Sequence, residues 1–430
     1  MILPPMLHLD SVTLRRLRTL AHRAADRTVL SLVNLAVYYG DKTAQPVMGT
    51  APRDTIFSRD KLSVHRLQGP SADEYELGNG VHRIEPTRLP VPVLVIPPLM
   101  VRPYVYDLRP EHSMLRFMRN AGLDVFVVDF GVPDRHDEKV SLDDYVIDYV
   151  PTAVDATLRA SGSSQLAIVG YCMGGIFGLL HAGTWRDERV RALVTIGSPV
   201  NFDKMGIVTL AARLGAPGID PIIDAIGNVP GSLSSLAFKL ISGHRTITRY
   251  ADLVANLHDE DYVRGFNAIN TWVNDMIPYP KEAFRQMFKE VVHGNKLLTN
   301  ELVFGGRPCD LRSIQCPLLA FAGEDDNVAT PASTREIVDL VASTDKQLIT
   351  VPGGHVAIVA GGQAPQRVWK PAVDWLCARL GSRNESVQTG PSTLWPPPIA
   401  EVRSIETARK SSRSAHATRR RRDPALRSGR

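Results

Sequence analysis

The residues able to do covalent chemistry gather around one cysteine. In Gln165-Leu166-Ala167-Ile168-Val169-Gly170-Tyr171-Cys172-Met173-Gly174-Gly175-Ile176-Phe177-Gly178-Leu179-Leu180, a short apolar β run passes through a Gly-bracketed turn into a helix of small residues. This is the strand–turn–helix context of a nucleophile elbow, with Cys172 where G-x-S-x-G enzymes carry serine. A nucleophile on so sharp a turn has strained dihedrals. Side chains two residues to either side would collide with the strand or the helix, hence Gly170 and Gly174. The turn would expose the thiol and aim the Met173 N–H and the new helix N-terminus at a reacting carbonyl. The bland alternative is a buried structural cysteine in a glycine-rich loop.

Two further segments supply the partners. Gly323-Glu324-Asp325-Asp326-Asn327-Val328 follows the apolar run 317–322, and Pro352-Gly353-Gly354-His355 follows the run 347–351. An acid after a late strand and a histidine after the last strand complete the order nucleophile, acid, base. A thiol of ordinary pKa is only slightly ionised at neutral pH, so His355 must accept its proton. Asp326 would hold the imidazole in one tautomer and stabilise the imidazolium. Asp325 competes for that role; Asp326 is preferred because the acid usually precedes the Asn-Val turn by one residue. The N–H of Met173 and that of Leu99 or Met100 would form the oxyanion hole, with Met100 the choice carried forward.

These residues need a scaffold. Val91-Pro92-Val93-Leu94-Val95-Ile96 and Asp124-Val125-Phe126-Val127-Val128-Asp129 are continuous apolar runs, as is Ala192-Leu193-Val194-Thr195-Ile196-Gly197. Such runs mark strands buried on both faces. Helical patterns over 111–121 and 141–161 alternate with them, and a helix near 365–380 closes the series. That alternation implies an α/β fold with a mostly parallel, doubly wound sheet. Residues 61–67 alternate like a strand, whereas 41–60 and 69–90 read as loops. Between 203 and 290 the β alternation stops and helical, aromatic-bearing sequence takes over, where such folds insert a cap. The resulting division is an N-terminal helical segment, 1–60; a catalytic core, 61–202 and 291–382; a cap, 203–290; and a basic tail, 383–430, read as disordered. Within 12–38 the helical apolar spacing has a basic opposite face, read as a helix packed on a core in preference to a membrane surface.

Charge and cysteine usage narrow the class. The chain of 430 residues carries +5, but residues 401–430 hold ten Lys/Arg against three acids. The tail alone is therefore +7, and the first 400 residues are near −2. No run is long enough to span a bilayer. Cys172, Cys309, Cys316 and Cys377 are too few and scattered for a disulfide framework, and no Cys/His cluster has zinc spacing. No metal and no cofactor are expected. No signal-peptide pattern opens the sequence, so a reduced cytoplasm is the expected location.

Several separate blocks resemble the polyhydroxyalkanoate synthases, most closely their short, class III type, within the α/β-hydrolase superfamily. They are Ser58-Arg59-Asp60-Lys61-Leu62; Arg102-Pro103-Tyr104; Asp107-Leu108; the stretch from Gly122 through Asp134-Arg135 to Leu142-Asp143-Asp144-Tyr145; and the cysteine box Gly170 to Gly175. In the insertion, Ile226-Gly227-Asn228-Val229-Pro230-Gly231 and Trp272-Val273-Asn274-Asp275 look like cap motifs, and Pro352 to His355 matches the histidine block. The resemblance covers about 50–380. Val101 and Asn327 depart from it, where the family usually has Asn and His, and the tail has no counterpart in the short type.

The resemblance implies an acyltransferase that polymerises (R)-3-hydroxyacyl-CoA with release of CoA, through a covalent thioester on Cys172. It also implies a growing polyester and its granule surface as partners, a second synthase subunit, and a homodimer formed through the cap. A thioesterase or polyester depolymerase on the same scaffold is the hydrolytic alternative, and a non-catalytic granule-associated protein the third.

Overall fold

The computed structural model describes residues 26–40, 46–69, 74–77, 80–85, 88–215, 218–242 and 245–381. The basic tail from 383, the first half of the helix expected over 12–38, and part of the 41–60 segment lie outside them.

Eight strands form one sheet: β1 (Arg53–Arg59), β2 (Leu62–Leu67), β3 (Val93–Ile96), β4 (Val125–Asp129), β5 (Leu166–Tyr171), β6 (Val190–Ile196), β7 (Leu318–Gly323) and β8 (Lys346–Val351). Their spatial order is β1-β2-β4-β3-β5-β6-β7-β8. β1 and β2 run antiparallel to their neighbours and the other pairings are parallel. The apolar runs become central strands because both of their faces are covered. Leu94, Ile96 and Ile168 join one core layer, while Val93, Val95, Ala167 and Val169 join the other. The period-2 alternation of a strand thus feeds two cores at once. Helices α1 (Met114–Asn120) and α11 (Lys370–Cys377) cover one face; α2 (Val150–Ser161), α3 (Met173–Trp185) and α10 (Pro331–Leu340) cover the other.

Two stretches read as loops are strands. β1 lies within 41–60, and Glu74–Leu77 pairs with Gly80–Arg83 within 69–90. β1 escaped notice because Arg53-Asp54-Thr55-Ile56-Phe57-Ser58-Arg59 is an edge strand, with no fully buried residue and a bulge between Thr55 and Phe57. Charged residues and bulges are how sheet edges avoid pairing with other chains.

The chain leaves the sheet after β6 and returns to it at β7. In between lie α4 (Ile207–Gly215), α5 (Ile219–Ile226), α6 (Gly231–Ser242), α7 (Arg245–Ala255), α8 (Glu260–Asn274) and α9 (Lys281–Gln286), across the segment expected to form the cap. The helical residues 26–40 dock on this insertion and not on the sheet. Asn34 Nδ2 donates to the Leu257 carbonyl at 2.7 Å, and Tyr38 donates to Glu260 at 2.7 Å. Val29, Leu32, Leu210, Leu214, Leu240 and Val254 are left exposed on the helix and the cap.

Candidate active site

The elbow is built from close backbone packing. Cys172 follows β5 and caps α3 with φ 52 and ψ −122, a conformation an L-residue holds only under constraint. The constraints are visible. Cys172 N–H donates to the Ile196 carbonyl at 2.8 Å, and Ser198 Oγ donates to the Cys172 carbonyl at 2.8 Å. A Cβ on Gly174 would lie 1.9 Å from the Ile96 carbonyl oxygen, and one on Gly170 would lie 2.3 Å from the Gly174 carbonyl carbon. Those two glycines are therefore obligatory. Tyr106 locks the same corner: its hydroxyl donates to the Ile96 carbonyl at 2.8 Å and accepts the Tyr171 N–H at 2.9 Å. Every residue of α3 is buried, which fixes the direction in which Cys172 points.

His355 follows β8 and Asp326 follows β7, both buried. Their side chains meet, with His355 Nδ1 2.7 Å from Asp326 Oδ2. Asp326 Oδ1 accepts the N–H groups of Val328 and Ala329 at 2.8 Å each, so the carboxylate is anchored by the turn that follows it. Asp325 is exposed, and its N–H donates to the Gly353 carbonyl at 3.1 Å. With Nδ1 given to Asp326, Nε2 is the nitrogen left to serve the thiol of Cys172. Tyr171 stacks on the imidazole at 4.9 Å between ring centroids and donates to the His355 carbonyl at 3.2 Å. Burial pushes the imidazole pKa down, but the Asp326 carboxylate and Cys172 beside it outweigh burial and raise it to about 10.

The other thiols are placed differently. Burial pushes Cys309 up to about 11 and Cys316 up to about 12, which suits inert core cysteines.

Of the expected oxyanion donors, Met173 lies in the first turn of α3, where N–H groups have no intrahelical acceptor. Met100 lies in the turn after β3 and the Pro97-Pro98 pair. Its carbonyl accepts the Ile277 N–H at 3.0 Å, while Tyr279 donates to Met173 Sδ at 3.3 Å. Val101 is buried in the core and Asn327 is exposed, so the two departures flank the site without replacing a member of it. No group of three or more His, Cys, Asp or Glu side chains suited to a metal occurs among the described residues, and none of their helices is long and apolar enough to cross a membrane. Tyr106, Ser198 and Tyr279 had no signature in the sequence, since each acts by touching a residue far away in the chain.

A strained cysteine after β5 and a buried Asp–His pair after β7 and β8, on this strand order, fit the α/β-hydrolase class. The family model described as "alpha/beta hydrolase fold" matches residues 107–361. Within that class the chain belongs to the poly(3-hydroxyalkanoate) polymerase family. It is 32% identical to the poly(3-hydroxyalkanoate) polymerase subunit PhaC of Allochromatium vinosum, over 77% of this chain and 90% of that one. The PhaC subunit of Synechocystis is 30% identical, over 83% of this chain and 93% of the relative. That of Haloferax mediterranei is 30% identical, over 77% of this chain and 65% of the relative.

Proposed function

We propose that the protein polymerises (R)-3-hydroxyacyl-CoA, with 3-hydroxybutyryl-CoA as the working substrate, through an acyl thioester on Cys172. The observation that carries the reading is the buried Asp326–His355 pair set against a strained cysteine at the end of the central strand. His355 takes the thiol proton, and Asp326 holds the resulting imidazolium. The Cys172 sulfur then bonds to the acyl carbon, the bond from that carbon to the CoA sulfur breaks, and CoA leaves with the proton from His355. The 3-hydroxyl of a second acyl group next attacks the acyl-enzyme, with its proton passing to His355. One ester forms, one thioester breaks, and no net water is used. A thiolate suits this cycle because exchange between two thioesters is nearly isoenergetic. N–H groups of Met173 and Met100 receive the developing oxyanion. No cofactor is required beyond the acyl-CoA substrate.

The reading extends to assembly and location. The apolar side chains left exposed on the cap support a homodimer formed there, and the word "subunit" in the names of the relatives supports a second synthase subunit. The enzyme would work in the cytoplasm at the surface of polyester granules.

Brief exposure to 3-hydroxybutyryl-CoA followed by peptide mass spectrometry should find the acyl group on the Cys172 peptide. Cys172→Ser should lose at least about 100-fold in CoA release, because the same base must generate an alkoxide. An adduct on Cys309, Cys316 or Cys377 with Cys172 free would overturn the assignment. Release of free 3-hydroxybutyrate instead of polymer would move the enzyme to the hydrolase alternative.

A further inference from the structure

One short stretch of the cap touches both residues assigned to the oxyanion hole. Residues 275–279 lie between α8 and α9. The Ile277 N–H donates to the Met100 carbonyl at 3.0 Å. Asp275 Oδ2 accepts Arg102 Nε at 3.2 Å and also accepts the Tyr104 hydroxyl. Four residues farther along, Tyr279, 1% exposed, donates to Met173 Sδ at 3.3 Å. The turn carrying Met100 is therefore held on one side by the stiff Pro97-Pro98 pair and on the other by this cap segment. Met173 is held from above by the same segment.

The segment is itself seated on α6. Tyr279 and Val229 exchange backbone hydrogen bonds at 2.9 Å each. A Cβ on Gly231, which opens α6, would lie 1.8 Å from the Met276 carbonyl oxygen, so helix and segment meet backbone to backbone. Ser235 donates to the Val273 carbonyl at 2.7 Å, and Lys239 donates to Asn274 at 2.5 Å. Phe238 on this helix reaches the His355 ring, 6.3 Å between centroids. Any displacement of α6 is thus transmitted to 275–279, and from there to both donors.

We infer that residues 275–279 are a strap that assembles the oxyanion hole only when the cap is seated, with Asp275 and Tyr279 as its positioning residues. This rests on the assignment of Met100 and Met173 as donors in the reading above, and it adds what places them. When the cap lifts to pass acyl-CoA or polymer, Cys172, His355 and Asp326 stay together on the strand ends, while the turn bearing Met100 loses three of its contacts. The open state then keeps its nucleophile and loses oxyanion stabilisation. Neither water nor an incoming hydroxyl is accelerated against the acyl-enzyme until the cap reseats.

The test separates thiol activation from oxyanion stabilisation. Alkylation of Cys172 by iodoacetamide needs the thiolate and no oxyanion hole, whereas acylation by 3-hydroxybutyryl-CoA needs both. Removing one oxyanion donor costs about 100- to 1,000-fold in rate, and a donor left loose keeps part of that benefit. Asp275→Ala should therefore lower single-turnover acylation by about 10- to 100-fold while alkylation stays within about twofold. Asp275→Asn, which still accepts from Tyr104, should recover most of the loss. Acylation at the wild-type rate in Asp275→Ala would overturn the inference, as would equal loss of acylation and alkylation. Should Asp275→Ala fail to fold, the double substitution of Arg102→Met with Tyr104→Phe makes the same comparison from the other side of the contact, under the same criteria. Failure of the underlying reading is recognised separately, since wild-type enzyme would then carry no acyl group on Cys172.

Discussion

His355 is kept basic against its own burial, and Asp326 is the first reason. Burial alone would favour the neutral ring, but the carboxylate 2.7 Å away, with Cys172 on the other side, raises the imidazole to about 10. Because the folded value lies above the unfolded value of about 6.5, this pair stabilises the fold fully below about pH 6.5. The contribution then declines as pH rises towards 10. Asp326→Asn removes the charge and leaves the burial, so His355 should titrate far lower. Thermal unfolding from pH 6 to pH 10 should show the widest gap between wild type and variant at the acid end, closing towards pH 10. Alkylation of Cys172 at pH 7 should fall by at least about tenfold, whereas Asp325→Asn should leave both readouts unchanged. A gap that widens with pH would contradict the charge-pairing account. The identity of the acid illustrates how far residue types can be read from sequence. The sequence favoured Asp326 by its place just before the Asn-Val turn, and in the fold Asp326 points inward onto two backbone N–H groups while Asp325 is exposed. Tyr106, Ser198 and Tyr279 were illegible, because their importance lies in a contact and not in a type.

At the scale of elements, the strands that carry the chemistry were the legible ones. β3, β4, β5, β6 and β7 lie between two apolar layers, which forces a continuous run of apolar residues, told from a buried helix by its short length and β-branched content. β1 was missed because an edge strand has no such requirement, and the hairpin within 69–90 is too short to show a period. The elbow between β5 and α3 offers a direct check on how tightly this element pair is packed. A methyl group on Gly174 would meet the Ile96 carbonyl at 1.9 Å, which is backbone of a central strand and cannot yield. A methyl group on Gly178 would meet Ile168 Cγ2 at 3.1 Å and Leu193 Cδ2 at 3.6 Å, which are side-chain ends able to shift. Gly174→Ala should therefore abolish soluble, active protein, while Gly178→Ala should cost about 1–3 kcal/mol, in the range of core overpacking, and retain activity. Denaturant unfolding of the second variant, beside expression and acylation of the first, measures the contrast. Comparable stability in the two would mean that β3 and α3 approach each other less closely than 1.9 Å implies.

Across the whole molecule, the net positive charge comes from the last 30 residues of the chain. The closing helix α11 ends at Cys377, and Leu376 and Leu380 beside it are fully buried. Arg379 finishes the body: it pairs with Asp345 at 2.7 and 2.8 Å and lies 4.0 Å from the Trp375 ring centroid. The last 30 residues hold ten Lys/Arg, four of them in the run Arg419-Arg420-Arg421-Arg422, against three acids. A segment so basic and so poor in large apolar residues interacts chiefly through its charge. We propose that it tethers the enzyme to an anionic surface such as phospholipid at a granule coat. Deletion of 383–430 should leave the melting temperature and CoA release unchanged. Full-length protein should sediment with phosphatidylglycerol vesicles at about 20 mM salt and be released by about 300 mM, as the screening length falls from roughly 20 Å to below 10 Å. The truncated protein should stay in the supernatant at both. Vesicle binding that survives the deletion would place the attachment on the exposed apolar side chains of the cap and the 26–40 helix instead. Loss of activity on truncation would mean that the catalytic body extends past Leu380.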